Sequence, residues 1–388
     1  MTSGPMDALV IGGGIAGFTT AFHLAQKGRS VLLLEREERA AYHSTGRSAV
    51  FFRGSHGTAP VRALCRASRP FFTHPQEAPP ARNLASPRDA LFVASPADLP
   101  ALDSFAERMA AEGTSIERLL PAEACAQVPV LRPSFVGGAV LEAGGMDIHL
   151  PALLQALQEG LLRRGGRILL RAEAQAIERK GELWRVQTPA GAFTAPLLVN
   201  AAGAWCDQVA RMAGAAPLGI VPKRRTVMTF RPDPQAGIER WPMVLEVHER
   251  FYFRPWGEEL LASPADQTPL PPCDAQPEER DCQILLERLA EATTLPLGPT
   301  SFLRRWAGLR SFVSDECPVL GWDPDLPGLF WVAALGGFGI ETSPALGEIA
   351  AALLTAAPFP PHIAAQGVSE VTFSPRRLRA RGSSAKAG

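Results

Sequence analysis

The sequence has no C-x-x-C pair, no apolar run of membrane-spanning length and no surplus of either charge. Its six cysteines (Cys65, Cys125, Cys206, Cys273, Cys282 and Cys317) are scattered, which speaks against a disulfide framework or a zinc site and fits the reduced thiols of a cytoplasmic protein. No metal is expected. Lysine plus arginine and aspartate plus glutamate both total 39, so neither nucleic acid nor an anionic membrane surface is an expected partner. The apolar stretch near the N-terminus is short and broken by glycines, so it reads neither as a signal segment nor as a spanning helix. Small-molecule chemistry remains, in a chain of 388 residues that is long enough for two domains.

What the chain does have is concentrated first in residues 7–35. Asp7-Ala-Leu-Val-Ile11 runs into Gly12-Gly-Gly-Ile-Ala-Gly17, then Phe18 to Lys27, then Ser30 to Glu35. This pattern predicts strand, glycine turn, helix and second strand. Gly12 permits the turn, Gly14 lets backbone approach a pyrophosphate, and Gly17 lets the helix pack closely on the sheet. Ile15 and Ala16 then open a helix whose N-terminus faces two phosphates. Glu35, with Arg36 beside it, ends the second strand where a carboxylate can accept hydrogen bonds from ribose hydroxyls. The motif specifies a dinucleotide and does not choose between NAD and FAD.

Further along, His43-Ser-Thr-Gly-Arg-Ser-Ala49 has the small, polar composition of a loop that wraps a ligand. Ser44, Thr45 and Ser48 suit phosphate contacts or a cap on a following helix, and Arg47 suits balancing cofactor charge. Proline breaks at Pro75, Pro79, Pro80 and Pro87 precede a strand at Ala90–Ala94 and a helix over Asp98–Glu112. Leu197 to Gly203 reads as a buried strand ending in small residues, with Ala202, Gly203 and Trp205 returning to the cofactor. Pro222–Phe230, Met243–Val247 and Phe251–Pro255 read as antiparallel strands. Gln276–Ala292 reads as a helix and Phe302–Phe312 as a strand carrying Arg310. Finally, Leu329 to Ser343 predicts a strand and a glycine turn in which Gly336, Gly337 and Gly339 lie against a ring. Ile340, Glu341 and Thr342 lead into a helix whose dipole would stabilise negative charge there. Thr2–Pro5 reads as a short leader, and residues 366–388 as a basic, flexible tail.

With these segments laid out, the chain resembles the D-amino acid oxidase superfamily of FAD-dependent amine oxidoreductases, and within it the bacterial D-arginine dehydrogenase branch. The resemblance is carried by His43–Ala49, Val199-Asn-Ala-Ala-Gly-Ala-Trp-Cys-Asp207, Pro222-Lys-Arg-Arg225, Phe251-Tyr252, Trp306-Ala-Gly-Leu-Arg-Ser-Phe312 and Phe330-Trp-Val-Ala-Ala334. It implies noncovalent FAD, with Ala49, Ala174 and Gly308 also at the cofactor. It implies an α/β, two-domain fold in which a Rossmann-type FAD-binding domain (1–85, 144–215, 320–365) is interleaved with a substrate domain on a mainly antiparallel sheet (86–143, 216–319). Arg225, Arg310 and Tyr252 occupy the positions that hold an amino acid carboxylate, a task suited to a guanidinium fork. His56 lies in a glycine-flanked loop able to close over a substrate, where it could serve as a catalytic base or only contact the substrate; contact is the expectation, because amine oxidation needs mainly a deprotonated amine and a well-placed hydride rather than a dedicated base.

The departures bear on the substrate. A glutamate that would face a cationic side chain is Ala90 here, Asp89 points to the opposite strand face, and Phe51 stands where a histidine is expected. An unpaired guanidinium in such a pocket is unfavourable, so neutral or apolar D-amino acids are expected over arginine. Cys317 lies near the place where a related branch attaches flavin, and Leu260 stands for that branch's oxygen-activating lysine. This favours a dehydrogenase with a quinone or other electron acceptor. The alternatives are a glycine- or sarcosine-type oxidase releasing hydrogen peroxide, or a flavoprotein subunit without turnover of its own.

Overall fold

The computed structural model describes residues 6–74 and 83–382. The expected leader, the proline breaks at 75, 79 and 80, and residues 383–388 lie outside them. Two sheets carry the architecture. The first contains β1 (Ala8–Ile11) and β2 (Val31–Leu34) in a six-stranded sheet whose spatial order is Val319–Trp322, Leu329–Ala333, Leu197–Asn200, β1, β2, Arg167–Leu169. All neighbours are parallel except the edge pair Val319–Trp322 with Leu329–Ala333. The four residues of β1 and of β2 are all buried, as a parallel sheet covered on both faces requires.

Helix α1 (Ile15–Gln26) lies against this sheet and against α2 (Ser343–Leu354). Its approach is set by glycine. Gly12 holds φ of 112°, and a Cβ on Gly17 would fall 1.8 Å from the Gly12 carbonyl oxygen. Only hydrogen fits there. Along the same helix His23 is buried, meets Phe22 edge-on, and its Nε2 has no hydrogen-bond partner among the described residues.

The second sheet has eight strands and is antiparallel apart from one neighbour pair. It includes β3 (Val221–Phe230), β4 (Met243–Glu246), β5 (Tyr252–Trp256) and β6 (Phe302–Phe312). The order is β6, β3, Glu259–Ser263, β5, β4, Ala90–Ala94, Gly138–Glu142, Ile116–Leu119, with β4 and Ala90–Ala94 the parallel pair. Every strand of the first sheet lies in 8–34, 167–200 or 319–333, and every strand of the second in 90–142 or 221–312. The chain thus enters each sheet more than once. The two meet where β6 runs past the glycine turn: the Gly336 N–H donates to the Ser311 carbonyl at 2.9 Å.

Two expectations are corrected. The predicted helix Gln276–Ala292 begins at Glu279, because Pro277 and an extended Glu278 precede it. The predicted flexible tail is helical over Glu370–Phe373 and Arg376–Gly382. Phe373 is buried, and Arg377 pairs with Asp315 at 2.9 Å while donating to the Cys317 and Pro318 carbonyls. Apolar burial and a satisfied ion pair outweigh the chain entropy that the basic composition suggests.

Two outcomes follow from α1. Burial pushes the His23 imidazole down to about 4, whereas the unfolded chain takes up that proton near pH 6.5. Stability contributed by the neutral ring is therefore present above about pH 6.5 and lost as pH falls towards about 4, by about 2 kcal/mol between pH 7 and 5. Urea titrations should show this loss, and His23→Leu should flatten it. Gly17→Ala, although it favours helix intrinsically, should cost roughly 1–3 kcal/mol through backbone overpacking. If the chain holds the flavin that the resemblance implies, the same change should lower its uptake, read as visible absorbance after purification.

Candidate active site

The site is a cavity between the two sheets. Its first wall is the β1–α1 turn, with Gly12, Gly14, Ile15 and Ala16 lining it. Gly17 and Thr342, both assigned to the cofactor from sequence, do not line it. Gly17 is spent on packing against Gly12, and the Thr342 hydroxyl donates to the Phe338 carbonyl at 2.7 Å. Glu35 sits at the end of β2, where its Oε2 accepts from the Gly13 N–H at 2.6 Å and its Oε1 from the Glu37 N–H at 2.8 Å. The carboxylate thus faces the turn that would carry a dinucleotide. Arg36 stacks over the Trp205 ring at 4.1 Å, making an aromatic and cationic edge beside Ala174, Ala202 and Gly203.

The 43–49 loop lines the middle of the cavity with Ser44, Thr45, Arg47, Ser48 and Ala49, but its side chains work differently from the sequence expectation. Thr45 Oγ1 accepts the Ile15 N–H at 3.0 Å, so it serves α1, which precedes it, and no helix follows directly. Ser44 donates to the Leu309 carbonyl at 2.6 Å, and Ser48 accepts the Val50 N–H at 3.1 Å. Arg47 donates to the Ala275 and Ala307 carbonyls and pairs with Asp274. Its charge is already matched, so it fastens the loop to the second sheet. Arg254 of β5 does the same from the other side. It donates to the Ala49 carbonyl at 2.6 Å and pairs with Asp147, and burial lowers it to about 10.

The far wall is the face of the second sheet. In the register between β3 and β6, Arg225 stands opposite Gly308 and Lys223 opposite Arg310. Arg225 and Arg310 are therefore diagonal neighbours on one face, with glycine leaving room between them. Arg224 points the other way, into the carboxylates of Asp266, Asp281 and Glu278. Arg225 donates through Nε to the Asp266 carbonyl at 2.9 Å, but its Nη2 is buried with no hydrogen-bond partner among the described residues. Arg310 forms no ion pair among the described residues; burial and the Arg225 charge lower it to about 10, so it remains cationic at neutral pH. Tyr252 completes this wall, and His56, Gly336, Gly337, Gly339, Ile340 and Glu341 close the cavity. A Cβ at Gly337 would lie 1.5 Å from Arg310 Nη2, so the glycine turn passes directly under the guanidinium.

Sequence reasoning missed Arg53 and Glu249, which pair at the cavity's end. Nothing in the local sequence marks Glu249, a turn residue between β4 and β5. Arg53, Arg310 and His56 together hold its carboxyl well below the usual range against the opposing effect of burial. Phe51 lines the cavity. Ala90 packs with Met243, Leu245 and Tyr252, while Asp89 faces away and accepts the Gly144 N–H at 2.8 Å. Leu260 does not reach the cavity: it is buried on the far face of the sheet with Met228 and Phe253, so it has no bearing on oxygen. Cys317 also lies off the cavity, its Sγ 3.3 Å from Thr58 Oγ1.

The residues fit a flavin dinucleotide: a glycine cradle at a helix N-terminus, a carboxylate at the end of the second strand where a ribose would lie, and a second glycine turn beneath the Arg310 guanidinium. The comparisons agree. The family model described as DAO, FAD dependent oxidoreductase, matches residues 7–353. Glycine oxidase of Pseudomonas putida is 26% identical over 365 residues, covering 90% of this chain and 95% of that protein. Mitochondrial dimethylglycine dehydrogenase of Homo sapiens is 25% identical over 268 residues, 66% of this chain, and the match spans only 30% of that longer protein. The solved L-proline dehydrogenase from P. horikoshii has the same fold, with a TM-score of 0.82 at 21% identity over 97% of this chain and 98% of that one. The chain belongs to the DAO family of FAD-dependent oxidoreductases.

Proposed function

We propose that this protein is an FAD-dependent dehydrogenase of D-amino acids, yielding the 2-oxo acid and ammonia after the imino product hydrolyses. The observation that carries the reading is the pair of guanidinium groups on one sheet face: among the described residues, Arg225 has a buried nitrogen with no hydrogen-bond partner and Arg310 has no ion-paired carboxylate. Left alone, such donors are costly; a substrate carboxylate satisfies both. Tyr252 beside them adds a third donor. When bound, FAD supplies the two-electron acceptor for the Cα–H bond.

The protein's part is to bind and orient. Two forks and a phenol fix the carboxylate, which fixes where Cα points and converts the reaction to an effectively unimolecular one. The walls beyond are apolar, with Val227, Met243 and Leu245 lining the cavity. Ala90 packed behind them and Asp89 turned away leave no acidic partner on that strand for a guanidinium side chain, which favours neutral or apolar substrates over arginine. Cys317 off the cavity supports noncovalent FAD. A second reading, oxidation of glycine or a secondary amine with release of peroxide, is supported by the similarity to glycine oxidase over most of both chains.

Anaerobic mixing of the FAD-loaded protein with a panel of D-amino acids, L-amino acids, glycine and sarcosine separates these readings. Bleaching by neutral D-amino acids is the expected result, and a flavin that none of the panel reduces would sink the proposal. Peroxide release in air, with glycine or sarcosine preferred, would select the second reading. Arg310→Met should keep the yellow colour yet lower kcat/KM for carboxylate substrates roughly 100- to 1000-fold, because orientation and charge pairing are lost together.

A further inference from the structure

His56 and Glu341 lie 285 residues apart in sequence, and the structure joins them: His56 Nδ1 is hydrogen-bonded to Glu341 Oε1. Glu341 is 1% exposed, and its second oxygen accepts the Arg53 N–H at 3.0 Å. It immediately precedes the N-cap of α2. An ionised carboxylate can only accept, so the proton of neutral His56 resides on Nδ1 and the lone pair is left on Nε2. Nε2 has no hydrogen-bond partner among the described residues, and His56 lines the same cavity as Arg225, Arg310 and Tyr252. Phe338 meets the ring edge-on at 5.5 Å and limits its rotation.

We propose that His56 and Glu341 form a carboxylate–imidazole pair that removes a proton from the substrate ammonium at His56 Nε2. His56 is the catalytic residue, and Glu341 is a positioning residue acting through it. The proposal rests on the amine-oxidation reading above. In the step, one N–H bond of R–NH3+ breaks and its electron pair stays on nitrogen. The proton bonds to Nε2, giving an imidazolium whose Nδ1–H still faces the Glu341 carboxylate. The chemistry needs this, because an ammonium has no lone pair with which to build the C=N bond of an imine.

The surrounding charges suit a base that is neutral before the substrate arrives. Arg53, from the same loop, opposes the imidazolium. Glu341 favours it from the start of α2, and Glu249 favours it from the turn between β4 and β5. Glu142 and Cys65 form an outer ring around Arg53 and Glu341. Burial is the largest influence and, with Arg53, brings His56 below the ordinary histidine value.

The test compares the FAD-loaded protein with Glu341→Gln, following the His56 imidazole by NMR across pH without substrate and the anaerobic bleaching rate with the best amine substrate. Loss of the carboxylate should lower the imidazole titration midpoint, move the acid limb of the rate profile with it, and slow bleaching roughly 10- to 100-fold, with the flavin spectrum unchanged. Glu341→Asp should restore part of the rate, and His56→Asn should match or exceed the loss. An unmoved imidazole titration overturns the pair, and a moved titration with an unchanged bleaching rate overturns the base role alone. If no amine bleaches even the parent protein, the amine-oxidation reading fails and takes the base role with it, while the titration still reports on the pair.

Discussion

The site depends on how closely a glycine turn passes beneath one arginine. With 1.5 Å between the position of a Cβ on Gly337 and Arg310 Nη2, the guanidinium can lie on the turn only because no side chain intervenes. The backbone bond from Gly336 to Ser311 fixes that contact from both sides, since Ser311 follows Arg310 on β6. The two sheets are thus held together at the point where a flavin ring and a carboxylate would meet. A small displacement there would separate the groups proposed to hold a substrate carboxylate from the turns proposed to cradle the cofactor.

Charge inside the cavity is arranged in two tiers. Arg53 is matched by Glu249, and Glu341 is held by a hydrogen bond from the His56 imidazole. Arg225 and Arg310 have no carboxylate among the described residues. The neighbouring Arg224 shows that this is selective: on the opposite face of the same strand it is paired with Asp266, Asp281 and Glu278. Buried cations without a counter-charge are unfavourable, so two of them facing one cavity suit an anionic ligand group there. The same alternation that anchors β3 through Arg224 presents Arg225.

Much of this was legible because it is local. The glycine spacing from Gly12 to Gly17, Glu35 at the end of β2, and the turn at Gly336 to Gly339 follow from what the backbone needs at those places. What the sequence did not reveal is the use the fold itself makes of several of these side chains. Thr45 serves the N-terminus of α1, Arg47 is consumed by carbonyls and Asp274, and Leu260 is core on the wrong face of its sheet. The basic tail looked unstructured because composition does not reveal that Asp315 and a greasy groove for Phe373 await it.

The sequence by itself determined the dinucleotide turn, the alternation that puts Arg225 and Arg310 on strand faces, and the likeness to flavin-dependent amine oxidoreductases. The first two depend on spacing within one segment, where hydrogen-bond geometry and strand or helix period act directly, and the likeness on several such segments read in order. Only the tertiary structure decided which distant groups meet: Arg53 with Glu249, His56 with Glu341, and Arg310 above Gly337. Those contacts join segments far apart in the chain, and they are set by the packing of two sheets, which no local pattern encodes.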